Sequence, residues 1–155
     1  MGLEGIDDLR GIGMKDFRDL TVWNRAHALV LQIYEVTAKF PKAEVYGLAS
    51  QLRRSAASVP ANIAEGCGRV GDAEFVRFLH IAMGSASETE YHLILAKDLG
   101  LIDESETTDL FGAIGEVKRM LASLITRVRK DRDQKKAALR QRPHTRQSVN
   151  EVPEP

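Results

Sequence analysis

From Thr21 onward the apolar residues fall into register: Val22, Ala26, Leu29, Ile33, Val36 and Phe40 are separated by four, three, four, three and four positions. That alternation keeps one stripe on one side of an α-helix, which turns once every 3.6 residues. Trp23, Val30 and Tyr34 widen the stripe, and Pro41, which lacks an amide proton, stops the helix. A second helix is predicted from near Glu44, with Val45, Ala49, Leu52, Ala56, Val59 and Ile63 at the same spacing. A third follows Asp72, read as its N-cap, and carries Phe75, Leu79, Ala82, Ala86, Thr89 and Leu93 before Gly100 ends it. The fourth opens on Asp103 with Glu106 three residues on, a box-like start, and its stripe is Leu110, Ile114, Val117, Leu121, Leu124 and Val128.

Four helices of one period joined by short connections predict an antiparallel up-down-up-down four-helix bundle with coiled-coil-like packing. No stretch alternates with a period of two, so the predicted class is all-α. The bundle is expected over residues 16–133. A glycine- and charge-rich flexible extension over 1–15 precedes it, with Met14 as an alternative start, and a disordered basic tail over 134–155 follows, containing Pro143, Pro153 and Pro155.

Pro60 lies inside the second stripe, where it costs a regular helix about 3 kcal/mol. The expected solution is a helix kinked at Pro60, with Ser58 recapping the second segment and Ser55 satisfying a freed backbone group. The alternative is two segments, one ending near Ser58 and the next beginning at Ala61. In a continuous helix, Gln51, Ser55, Ser58, Asn62 and Glu65 make a second line beside the apolar one. Such a line suits either a recognition or catalytic groove or a satisfied polar layer that fixes register between helices or subunits, and the second reading is preferred.

The third helix also has a second line, Arg77, Ile81, Gly84, Glu88, Tyr91 and Leu95, nearly opposite its core stripe. A helix apolar on two faces must bury both, so a homo-oligomer is expected. Gly84 would permit close helix approach, with Arg77 and Glu88 pairing within or across the contact. The alternative makes these two ordinary surface charges and Tyr91 a rim residue.

The charge is balanced overall, with 22 basic and 22 acidic residues, yet unevenly placed. From Arg127 onward nine basic residues face four acidic ones, leaving 13 basic against 18 acidic before it. Arg127, Arg129, Lys130, Arg132, Lys135, Lys136, Arg140 and Arg142 are therefore candidate phosphate contacts, on a frayed helix end and a flexible arm. No aromatic is interleaved to stack on bases, and a solubilising tail is the alternative.

Signals for enzyme chemistry are weak. A bundle di-iron site needs glutamates and two E-x-x-H pairs; no E-x-x-H occurs, and Glu88, Glu90 and His92 are the nearest approach. His27 and His80 are isolated. Cys67 between Gly66 and Gly68 has no histidine at a diagnostic spacing, and those glycines lack the lysine of a phosphate loop. Glu65 and Glu88 could together support a carboxylate enzyme only as a third-ranked reading. The expectation is a non-enzymatic protein with no metal and no cofactor. No apolar run approaches the roughly 18 residues of a membrane span. A charged N-terminal region and a single cysteine predict a cytoplasmic protein with no membrane partner.

The motifs D-L-T-V-W from Asp19 to Trp23, F-P at Phe40 and Pro41, Y-G-L-A-S-Q-L-R-R-S-A-A-S-V-P-A-N-I-A-E-G from Tyr46 to Gly66, and F-x-x-F-L-x-I-A-x-G-S-x-x-E from Phe75 to Glu88 carry a resemblance. Over about Phe17 to Leu124 the chain resembles the four-helix-bundle proteins encoded in intervening sequences of bacterial 23S ribosomal RNA genes. The fold is also similar to that of the accessory variability proteins of diversity-generating retroelements, which have basic bodies where this one is acidic. The resemblance implies a homo-oligomeric ring, pentameric, with no established enzyme activity; RNA or a ribonucleoprotein is a candidate partner on the strength of the basic tail, which lies outside the matched stretch. A dedicated RNA-binding module would need Arg53, Arg54 and Arg69 to cluster on one surface of that ring.

Overall fold

In the computed structural model, which describes residues 16–141, the apolar stripes form α1 (Thr21–Thr37), α2 (Leu48–Cys67), α3 (Asp72–Asp98) and α4 (Glu104–Arg140). Each helix packs on its neighbours in sequence, and α1 closes against α4; among the described residues the backbones of the diagonal pairs stay more than 8 Å apart, Cα to Cα. Cross-links run in opposite senses along each pair. Arg25 meets Glu116 while Lys39 meets Glu106. Likewise Glu90 meets Lys118 while His80 meets Arg129. This is the antiparallel up-down-up-down bundle.

Inside it, Ile63, Leu79, Ala82, Ala86, Leu93, Ile114, Val117 and Leu121 are wholly shielded from solvent. The predicted stripes of α2 and α4 are buried throughout, except Val45. Leu79→Ala removes about 3 to 5 kcal/mol of stability by the usual cavity cost, measurable as a lowered denaturation midpoint.

The predicted start of α4 is present in full. The Asp103 carboxylate accepts from the Glu106 amide at 2.7 Å, and the Glu106 carboxylate accepts from the Asp103 amide at 3.1 Å. Asp103→Ala should cost about 1 kcal/mol, read from a urea denaturation midpoint.

Several boundaries differ from expectation, each for a local reason. α1 ends at Thr37, short of Pro41, and tight turns carry the chain to Phe40, whose amide donates to the Thr37 carbonyl at 3.1 Å. Tyr34 does not join the core. α2 begins at Leu48 instead of Glu44, because the Glu44 carboxylate turns back to accept the Leu48 amide at 3.1 Å, and Val45 is left outside the helix and exposed. At α3 the cap is Gly71, not Asp72. Its φ of 89° belongs to the left-handed region that glycine enters without strain.

Helix α2 runs through Pro60 without interruption, so the two-segment alternative does not hold. Pro60 has no proton for the Ala56 carbonyl, yet neither serine takes the expected part. Ser58 donates to the Arg54 carbonyl at 2.9 Å and Ser55 to the Leu52 carbonyl at 3.3 Å.

The largest difference is in α4, which spans 37 residues and includes positions 134–140 that the sequence reading placed in a disordered tail. Its apolar stripe does stop at Val128. Gln134, Lys135, Lys136, Ala137, Ala138, Leu139 and Arg140 are nevertheless all strong helix formers, and a helix already nucleated adds such residues at little cost. Residues 1–15 and 142–155 lie outside the described residues, and with them the predicted N-terminal extension and Arg142.

Candidate assembly face

The two extra lines of the sequence meet along the outside of the α2 and α3 pair. Near the middle, the Arg54 guanidinium bonds the Glu88 carboxylate and also donates to the Gln51 side chain at 3.0 Å. One step inward, the Ser55 and Thr89 hydroxyls lie 3.1 Å apart, both wholly buried, and the Thr89 hydroxyl is 2.8 Å from the Ser85 carbonyl. Ser58 and Asn62 continue the line with bonds to α2 carbonyls, and Glu65 bonds Arg69 at 2.5 Å. The polar seam is thus one buried layer, Ser55 with Thr89, bordered by locally satisfied groups.

Within one protomer Arg77 and Glu88 do not pair with each other. Arg77 pairs with Glu74, one turn away, at 3.0 Å and lies over the Phe78 ring, while Glu88 is taken by Arg54. Eleven residues separate Arg77 from Glu88, a rise of about 16 Å that no side chain pair spans along one helix. Of the remaining positions, Ile81 is 41% exposed and Tyr91 60% exposed, Leu95 is half-buried, and Ile94, not singled out from the sequence, is 43% exposed beside Tyr91.

Two glycines describe this pair of helices from opposite sides. A Cβ on Gly66 would come within 2.9 Å of the Phe78 Cβ and 3.0 Å of a Phe75 ring carbon, so Gly66 lets α2 and α3 close on each other. A Cβ on Gly84 would meet nothing within 4 Å. Gly84 therefore has no steric reason within its own chain, although glycine inside a helix costs about 1 kcal/mol relative to alanine.

His92 sits at the same face. Among the described residues its Nδ1 is buried without a hydrogen-bond partner, and its ring lies 5.6 Å from that of Tyr91. Burial lowers its pKa from 6.5, with Glu88 acting in the opposite direction and Arg54 adding to the lowering. The unfolded chain thus binds the proton more readily. The stability this histidine contributes is complete above its unfolded pKa of about 6.5 and is lost as pH falls through the lower folded value. Urea midpoints measured at about pH 7 and about pH 5 should fall with acidification, and His92→Gln should flatten that fall.

The carboxylates considered for chemistry each have a basic neighbour: Glu65 has Arg69, Glu88 has Arg54 and Glu90 has Lys118. Among the described residues, no group of three or more His, Cys, Asp and Glu side chains is placed to hold a metal ion. Nor do Arg53, Arg54 and Arg69 cluster within one protomer. Arg53 turns toward α1, donating to the Thr37 hydroxyl at 2.8 Å and stacking over Tyr34, while Arg54 and Arg69 face α3. Of the basic positions near the C-terminus, Arg129 bonds His80 at 2.9 Å, Lys135 bonds Asp72 at 3.2 Å, and Arg127, Lys130, Arg132, Lys136 and Arg140 complete the helical set. Arg54, Gly66, Ile94 and His92 were not assigned to this face from the sequence. Their spacing to the two lines is legible only once α2 and α3 are paired.

Helix pairing, core and outer face together define an all-α four-helix bundle with a built α2 and α3 surface. Residues 18–123 match the model of the 23S rRNA-intervening sequence protein family, and the chain belongs to that family. A crystal structure from Bacteroides thetaiotaomicron, described as a protein of unknown function from the S23 ribosomal protein family, is similar at 25% identity and a TM-score of 0.64, covering 68% of this chain and 98% of that one. Among curated proteins none matches the chain. No described helix is long and apolar enough to cross a membrane.

Proposed function

We propose that this protein is a non-catalytic, homo-oligomeric scaffold whose copies associate through the outer α2 and α3 face and whose basic α4 end is presented to nucleic acid. The observation that carries the assembly reading is Gly84. It keeps a mid-helix glycine, beside exposed Ile81 and Tyr91, where its own chain leaves open space. A neighbouring copy approaching α3 closely accounts for that choice and covers the apolar side chains around it. The motif resemblance supports a ring of five copies; the single cysteine supports a cytoplasmic setting, and the basic residues of the α4 end support RNA or a ribonucleoprotein as the further partner. Local pairing of Glu65, Glu88 and Glu90 with cations favours a structural role for these carboxylates over a catalytic one.

Sedimentation equilibrium of the full chain tests the assembly. A mass at a whole multiple of 17.2 kDa, five in the ring reading, is the expected result. A single protomer mass across the micromolar range overturns it.

A further inference from the structure

The extension of α4 changes what its cations can do. Arg129, Arg132, Lys136 and Arg140 follow one another at spacings of three, four and four, so they share one flank of a continuous helix. Their axial separations are about 5 to 6 Å, and the row is about 16 Å long. Two contacts tie this stretch of α4 to the bundle. The Arg129 guanidinium bonds Nε2 of His80 on α3 at 2.9 Å, a contact in which no carboxylate takes part. Lys135 Nζ reaches Asp72, the first residue of α3, at 3.2 Å. Arg132 lies 3.3 Å from Asp133, while Lys136 and Arg140 make no ion pair among the described residues.

We infer that Arg129, Arg132, Lys136 and Arg140 form a preorganised helical ridge that binds the phosphate backbone of RNA. The inference rests on the nucleic-acid part of the function proposed above and puts a rigid surface in place of the flexible arm expected from the sequence. Three of the four are arginines, whose planar forks suit phosphate oxygens, and their regular row matches a regularly repeating polyanion. A membrane-surface helix would need a broad apolar face opposite the cations, and residues 129–140 offer only Ala137, Ala138 and Leu139. Rigidity matters because ordering a free arm costs backbone entropy at the moment of binding, a cost the helix has already met.

Full chain is titrated with a labelled oligouridylate and a labelled RNA duplex at several salt concentrations. Four engaged cations give a slope of log affinity against log salt of about −2.8 for the single strand and about −3.6 for the duplex. The single-strand affinity therefore drops about 50-fold between about 50 and 200 mM salt. Gln134→Pro keeps every charge but breaks the row between Arg132 and Lys136, beyond the last buried position Val128. It should weaken binding about tenfold and halve the slope, while circular dichroism loses only the last helical turns. Lys136→Gln with Arg140→Gln should reduce the slope more than Arg127→Gln with Lys130→Gln, which removes the same charge from elsewhere on the helix. Unchanged binding by Gln134→Pro overturns the ridge and leaves the arm; equal losses from the two double variants also overturn the ridge. No RNA binding by the full chain, or preference for anionic vesicles, overturns the nucleic-acid reading and the ridge with it.

Discussion

Gly66→Ala will destabilise the bundle by about 1 to 3 kcal/mol, the usual cost of forcing extra volume into a packed contact. The sign is opposite to helix propensity, by which the same change in an open helix stabilises by about 1 kcal/mol. Packing wins here because the added carbon would lie 2.9 Å from the Phe78 Cβ, an atom fixed to the α3 backbone. Phe78 cannot swing aside cheaply, since it is buried and Arg69 and Arg77 both lie over its ring. Relief requires α2 and α3 to separate, and that loosens the neighbouring contacts of Val59, Ile63 and Leu79. Chemical denaturation gives the number. An alanine variant as stable as the parent would show that the helices can shift apart without loss.

Gly84→Leu will reduce the proposed assembly to protomers of 17.2 kDa while leaving the isolated bundle folded. The two glycines share a residue type and differ in surroundings. Among the described residues nothing lies within 4 Å of a Cβ at Gly84, so leucine there meets no intramolecular obstacle and replaces a residue poorly suited to a helix interior. Circular dichroism should report a protomer at least as stable as the parent. Any copy packed closely against that position, however, would have to move away by the thickness of a side chain and would expose Ile81 and Tyr91 again. Gly84→Ala is the graded control: protomer stability raised by up to about 1 kcal/mol, with assembly weakened less than by leucine. An unchanged assembly mass for the leucine variant would place the subunit contact on a different surface.

The polar and electrostatic findings follow the same division between near and far partners. The capping box of Asp103 and Glu106 was readable because both members lie within one helical turn. Within the protomer Arg77 takes Glu74, one turn away, rather than Glu88. Glu88 in turn found Arg54, 34 positions away in sequence, through the contact of two helices. Ser55 and Thr89 each appeared on a predicted line, but that their hydroxyls meet in a buried layer depends on the register of α2 against α3.

The sequence by itself determined the all-α class, the four helices, their buried stripes and the start of α4, because hydrophobic period and capping act within a few residues. It also carried the family motifs that lie along α2 and α3. Tertiary structure decided which glycine marks a closed contact and which an open face, that the Nδ1 of His92 is buried, and which charges neutralise one another. It also showed the last cations of α4 as a helical row tied to α3 by His80 and Asp72. These are properties of the distance between elements, and periodicity along one chain segment contains no measure of that distance.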